Sequence, residues 1–282
     1  MRIGLALGGG GLTGTAFHAG VLNALAEHLD PREAEVIVGT SAGSTAAALM
    51  RSGFPATDYV ARVTGRPLSP EGEAVLGGMP ALADPVPALP RERGPASPQL
   101  LRSVLRRPWR YAPGVALSAL LPEGTRSVDA GAQRFRALFT QWPQRPTWIV
   151  AVDLDTGRRV VFGRDATASM ADAVSASCAV PGYFAPVVVD GRKYIDGGAH
   201  SMVSLDLLAD SDLDLVIVSA PPLPMNTRPL ATRGAPVIVY DLLWSNVTTS
   251  QTFAFSTISA ARTFSSTCCG RFAPAITAVT PG

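Results

Sequence analysis

Ser41 stands in Gly39-Thr40-Ser41-Ala42-Gly43, behind the apolar run Val36-Ile37-Val38 and ahead of the small-residue segment Ser44 to Met50. A strand, a G-x-S-x-G turn and a helix in that order carry a mechanism. The sharp turn exposes a serine hydroxyl as a nucleophile. The first amides of the following helix point towards any oxyanion that forms beside it. A second glycine-rich stretch, Gly8-Gly9-Gly10-Gly11-Leu12-Thr13-Gly14, follows the apolar residues Ile3 to Leu7. In an open α/β sheet the loops at the carboxyl ends of neighbouring strands converge on one crevice, so this loop belongs beside Ser41. Successive glycine amides there can bind a developing oxyanion. An exposed serine with a glycine oxyanion loop is acyl-transfer machinery.

The same glycine run contains a literal G-x-G-x-x-G in Gly9, Gly11 and Gly14, the spacing of a dinucleotide site. Such a site needs an acidic residue at the end of the second strand to hold the ribose hydroxyls. Gly39-Thr40-Ser41 occupies that place, and Glu35 lies at the strand's opposite end. No nucleotide cofactor is expected.

A serine hydroxyl needs a general base, and histidine is the usual one. The chain has three. His18 lies in the helix after the glycine loop and His28 at that helix's exposed end. His200 falls four residues after Asp196, and no histidine follows on a later loop. Using His200 would make one loop supply both acid and base. Asp196 acting directly on Ser41 is simpler. It stands where Lys193-Tyr194-Ile195 meets Gly197-Gly198, and two glycines let its carboxylate approach another loop. A carboxylate is a weak base for a hydroxyl, and partial burial, which raises its pKa, would help. A turn aspartate without chemistry is the plainer account of the same spacing.

The elements that must position these groups follow from the apolar pattern. Val21, Leu22, Leu25 and Leu29 mark a helix packed on a sheet. Eleven of the 24 prolines lie between Arg66 and Pro122, a density that predicts an irregular insertion over the sheet. Inside it Leu100, Leu101, Val104 and Leu105 form an apolar stripe near Arg102, Arg106, Arg107, Arg110, Trp109 and Tyr111. That stripe predicts a short helix, either folded onto the core as a lid with solvated arginines or lying in a lipid interface. Further on, residues 127–142 and 170–177 read as helices, and 148–152 and 159–162 as strands joined by a tight turn at Asp155 and Gly157. Residues 187–189 and 193–195 form a hairpin across Asp190-Gly191, and 214–219 and 237–240 are later core strands.

Composition narrows the classes. At 282 residues, 47% hydrophobic and 16% charged, the chain can bury a large α/β core. A net charge of +2 argues against a dedicated nucleic-acid binder. Three cysteines, two of them adjacent, make no disulfide framework. Met1 leads into an apolar run and then glycines, without room for an ordinary signal peptide before them. The expected place is the cytoplasm, with peripheral membrane contact through Leu100–Tyr111 as the lipid-interface reading adds. From Leu242 to Gly282 there is no acidic residue and no lysine, but fourteen serines and threonines, with no clear helical period.

Taken together the glycine loop, Gly39–Gly43, the segment Ser175 to Pro186 and Asp196-Gly197-Gly198 resemble the patatin-like phospholipase family over roughly residues 1–241. The resemblance implies a three-layer α/β/α fold with a mostly parallel central sheet. Residues 66–122 would be its proline-rich lid or insertion, and 242–282 a Ser/Thr-rich tail outside it. It implies lipid acyl ester hydrolysis by a Ser-Asp dyad without histidine, metal or cofactor. Carried over by position, Ser41 resembles the nucleophile and Asp196 the base, while Gly9, Gly10, Gly11 and the Ala42 amide resemble the oxyanion hole. Thr13 departs from the pattern, for the family usually has Arg or Lys there, which weakens the case for phospholipid over neutral ester. A soluble carboxylesterase or thioesterase and a catalytically silent lipid-binding protein are the alternative functions.

Overall fold

The computed structural model describes residues 1–77, 94–128, 136–139, 141–221, 237–241 and 275–279. Its strands are β1 (Ile3–Leu7), β2 (Val36–Thr40), β3 (Thr147–Asp153), β4 (Arg159–Phe162), β5 (Val187–Val189), β6 (Arg192–Asp196), β7 (Leu215–Ala220), β8 (Val237–Asp241) and β9 (Ala275–Val279). They form one sheet in the order β5-β6-β3-β2-β1-β7-β8-β9, with β4 also paired to β3. The centre, β3-β2-β1-β7-β8, is parallel. The antiparallel strands β4, β5, β6 and β9 lie outside it.

The central strands read as unbroken apolar runs because both faces of the sheet are covered. Leu5, Leu7, Ile37, Ile149, Leu215 and Ile217 point into one core cluster. The residues between them, among them Ala6, Val38, Val150, Val216 and Val218, point into a second on the opposite face. The helices are α1 (Gly11–Ala26), α2 (Ala42–Arg51), α3 (Ala56–Thr64), α4 (Pro70–Leu76), α5 (Pro98–Arg106), α6 (Pro113–Ser118) and α7 (Met170–Ser177). Helices α1, α2, α3 and α7 cover the first face. Phe17, Val21, Leu22 and Leu25 give α1 its buried stripe, and each such side chain stabilises the fold by about 1.5–3 kcal/mol. Helix α2 is buried nearly all round, which its alanines and serine permit by letting it lie close to β1, β2 and β3. Its C-terminal end is held by Arg51, whose guanidinium donates to the carbonyls of Arg32, Ala34 and Pro146.

The proline-rich segment is more regular than its composition predicts. Pro70, Pro98 and Pro113 each stand in the first turn of a helix, where a missing N–H is no loss. Ser69 and Ser97 cap the first two by accepting the amides of Gly72 and Leu100. Residues 78–93 of that segment lie outside the described residues. The predicted helix over 127–142 also falls partly outside them, with 136–138 helical. Of the tail, Ala275–Val279 pairs antiparallel with β8, and the rest is not described. The Asp190-Gly191 turn is as expected, with φ of 48° and 75°. Among the described residues no helix is long and apolar enough to cross a membrane.

Candidate active site

Ser41 sits between β2 and α2 with φ 53° and ψ −119°, a conformation that costs a non-glycine residue about 1–3 kcal/mol. It persists because the flanking turn leaves no alternative. A Cβ on Gly39 would stand 2.7 Å from the Gly43 carbonyl oxygen, and one on Gly43 would overlap the Leu7 carbonyl. The Ser41 peptide is held on both sides. Its N–H donates to Ser177 Oγ (2.9 Å), and that hydroxyl donates to the Val150 carbonyl (2.6 Å). Its carbonyl accepts from Ser44 Oγ (2.6 Å) and Cys178 Sγ (3.3 Å). Burial pushes the Cys178 thiol up to about 11, with the Asp196 charge adding to the effect, so the sulfur remains a protonated donor.

The strand register brings Asp196 to this turn. Thr40 pairs with Val150 of β3, and the next residue of β3, Ala151, pairs with Asp196 at the end of β6. Gly197 lets the chain pass β3 closely, since a Cβ there would overlap the Val150 carbonyl. The Asp196 carboxylate accepts the Gly198 amide at 2.7 Å, and the Ser41 hydroxyl lies near enough to favour its charged form. It is 5% exposed, and burial outweighs the Gly198 bond and the nearby Ser41 hydroxyl to raise its pKa to about 6.

No histidine shares this contact. His18 is fully buried with both ring nitrogens engaged, Nε2 with the Gly8 carbonyl (2.7 Å) and Nδ1 with Ser219 Oγ (2.7 Å). A carbonyl only accepts, so Nε2 carries the proton and Nδ1 accepts the Ser219 hydroxyl. Burial lowers its pKa to about 4 and keeps it neutral. His200, half-buried, has Arg159 and Asp206 as its charged neighbours, and burial lowers its pKa. His28 is exposed.

The glycine loop lies where the converging-loop argument puts it. Gly43 N–H donates to the Gly8 carbonyl (3.0 Å), and a Cβ on Gly9 would stand 3.4 Å from Ser41 Cβ. Gly10 adopts φ 143° as the residue before α1, a conformation that requires glycine. One expected oxyanion donor is already engaged: Gly9 N–H donates to the Met202 carbonyl at 2.8 Å. The amides of Gly10, Gly11 and Ala42, at the starts of α1 and α2, have no acceptor among the described residues. These helix N-termini carry partial positive charge. Among the described residues no group of three or more His, Cys, Asp or Glu side chains could hold a metal ion.

Comparison with known proteins bears on this geometry. A model of the patatin-like phospholipase family matches residues 5–209. The chain belongs to that family. The crystal structure of VipD from Legionella pneumophila is similar at 16% identity and a TM-score of 0.43, covering 80% of this chain and 51% of that one. The chain thus spans about half the length of that protein.

For a patatin-like chain, several residues around Ser41 were not singled out from sequence. Ser177, Cys178, Ser219 and Met202 all touch the turn or the glycine loop through hydrogen bonds across long sequence separations. Ser177 and Cys178 fall within the Ser175–Pro186 stretch that carries part of the family resemblance, which was their one signal. Thr13, in the family's basic position, is exposed in the first turn of α1. The two aspartates of the 153–157 turn are structural: Asp153 accepts the Thr156 amide and pairs with Arg192, and Asp155 accepts the Ser97 hydroxyl.

Proposed function

We propose that this protein is a lipid acyl hydrolase that cleaves carboxylic esters through Ser41 and Asp196. The observation that carries the reading is the strained Ser41 turn set beside Asp196, a buried carboxylate whose pKa is raised to about 6. A base of that pKa is ionised at neutral pH yet a stronger proton acceptor than an ordinary aspartate.

Ser41 Oγ attacks the ester carbonyl as its proton passes to Asp196. The oxyanion of the tetrahedral intermediate lies towards the amides of Gly10, Gly11 and Ala42, which are the donors left for it. Collapse breaks the ester C–O bond. The leaving alkoxide takes the proton from Asp196, and the acyl group remains on Ser41. A water then gives its proton to Asp196 as its oxygen attacks the acyl-enzyme. The second intermediate collapses to the carboxylic acid, and the proton returns to Ser41. Family membership supports lipid esters as the substrate class, while the threonine at position 13 leaves no basic group there for an anionic headgroup.

The test is release of p-nitrophenol from butyrate and palmitate esters by wild type, Ser41→Ala and Asp196→Asn, each checked for folding by circular dichroism. Both variants should fall by about 10⁴-fold or more, as when a nucleophile or its base is removed. Preference for palmitate supports the lipid substrate, and preference for butyrate a soluble esterase. A folded wild type without activity and without labelling of Ser41 by a fluorophosphonate would make the protein a silent lipid binder.

A further inference from the structure

Leu100 and Val104 of α5, with Val115 of α6 and Ala119 at its C-terminal cap, close one apolar cluster on Val152, Leu154 and Ile195. Of the stripe expected either to pack on the core or to meet lipid, Leu100 and Val104 pack on the core and Leu105 does not. Because both short helices bury a face in the same cluster, their remaining faces look away from it. Those faces are not an ordinary polar surface. Leu105 is 72% exposed and Trp109 is 79% exposed. Around them stand Arg102, Arg106, Arg107 and Arg110, all exposed. Arginines elsewhere, such as Arg32, Arg145 and Arg159, have carboxylate partners. These four have no ion-pair partner among the described residues, and no acidic residue occurs from Gly94 to Pro122.

We propose that this outward face of Pro98–Leu120 docks on an anionic lipid surface. The four arginines meet headgroup phosphates while Leu105 and Trp109 enter the boundary with the acyl chains. Two observations select this occupant. The face is cationic without internal compensation, so its partner is anionic. It also exposes large apolar side chains, continued by Leu117 on α6 and Leu120 just past its end, which need a medium that is apolar just beneath the charges. A bilayer surface has both properties, and a nucleic acid supplies only the first. Helix α5 is about 14 Å long at 1.5 Å per residue, so it lies in the interface and does not span it. The face also adjoins the candidate site. Gly114 of α6 lies so close to the Ala199 carbonyl that a Cβ would overlap it, and Ala199 belongs to the turn that follows Asp196. Docking would thus bring ester groups at the lipid surface towards the turn that carries Asp196. That consequence rests on the ester-hydrolase reading, but the docking itself does not.

The two are separated by measuring binding with the full-length Ser41→Ala chain, which leaves vesicles intact. Co-sedimentation should be strong with vesicles of phosphatidylcholine mixed with phosphatidylglycerol, weak with phosphatidylcholine alone, and reduced by salt. The double substitution Arg106→Gln and Arg107→Gln should weaken partitioning about 25-fold, from about fivefold per basic residue. The tryptophan emission should shift to the blue on binding, and most of that shift should vanish in Trp109→Phe. Unchanged thermal midpoints would show that the substitutions leave the fold intact. Equal binding to neutral vesicles, or an unaffected double variant, would overturn the proposal. So would retention on a single-stranded oligonucleotide in place of vesicles, or self-association abolished by Trp109→Ser. Binding that meets expectation in a protein whose wild type hydrolyses no ester would leave the docking in place and remove the hydrolase reading.

Discussion

Ser177 holds Ser41 by its backbone: its hydroxyl accepts the Ser41 amide and donates to the Val150 carbonyl, tying β2 and β3 together at the point where the turn is most strained. In Ser177→Ala both buried groups lose their partner. An unsatisfied buried polar group costs about 1–3 kcal/mol, so a stability loss of that order is expected in urea denaturation. Because Ser177 acts on the placement of Ser41, kcat on a p-nitrophenyl ester should fall while KM stays near wild type. An unchanged kcat would show that the turn is held without it.

The raised pKa of Asp196 predicts the acid limb of the rate profile. The carboxylate must be ionised to accept the Ser41 proton, so kcat/KM should rise with pH through about 6 and level off above it. A limb near the ordinary carboxylate value would mean that the buried Asp196 is not the base.

The same burial has a stability sign. Below the unfolded value of 3.8 Asp196 is protonated in both states, and above about 6 the fold must hold it charged. The difference is on the order of 3 kcal/mol against the fold at neutral pH. Asp196→Asn, which can still accept the Gly198 amide, should therefore be inactive yet more stable than wild type at neutral pH. That advantage should fade as pH falls from about 6 to about 4.

His18 works in the opposite direction. Its folded pKa of about 4 lies below its usual 6.5, so it contributes stability that is present above 6.5 and lost as pH falls through 4. The shift corresponds to about 3 kcal/mol. Between about pH 6 and 4 the relief at Asp196 and the loss at His18 nearly offset each other, so wild type should change little from these two groups. Asp196→Asn, deprived of the relief, should lose stability steeply over the same window. Urea midpoints at several pH values would separate the two contributions.

Two glycines make a paired test of close approach. Gly20 in α1 has open space around its Cα and no positive φ, so Gly20→Ala should stabilise by about 0.5–1 kcal/mol. In Gly43→Ala the new Cβ meets the Leu7 backbone, which cannot move aside within the sheet, so the loss should be about 3 kcal/mol or more. Thermal unfolding of both would check the packing of α2 on β1.

By itself the sequence determined the parallel core strands, the turn at Ser41, the glycine loop beside it and the candidacy of Asp196. Each depends on local chemistry: apolar runs form buried strands, and glycines mark the places where backbones approach. The helices of the proline-rich stretch were partly legible too, since Ser69-Pro70 and Ser97-Pro98 are cap-and-first-turn pairs, although proline density pointed to irregular chain. What only the tertiary structure decided depends on contacts between residues distant in sequence. The Ser41 turn is braced from 136 residues away by Ser177, and the glycine loop from 201 residues beyond His18 by Ser219. The engagement of Gly9 by Met202, the neutral state of His18 and the burial that raises Asp196 are likewise properties of the packed sheet edge. No spacing encodes them, because hydrogen-bond satisfaction and desolvation are set by what surrounds a group in space and not by its neighbours along the chain.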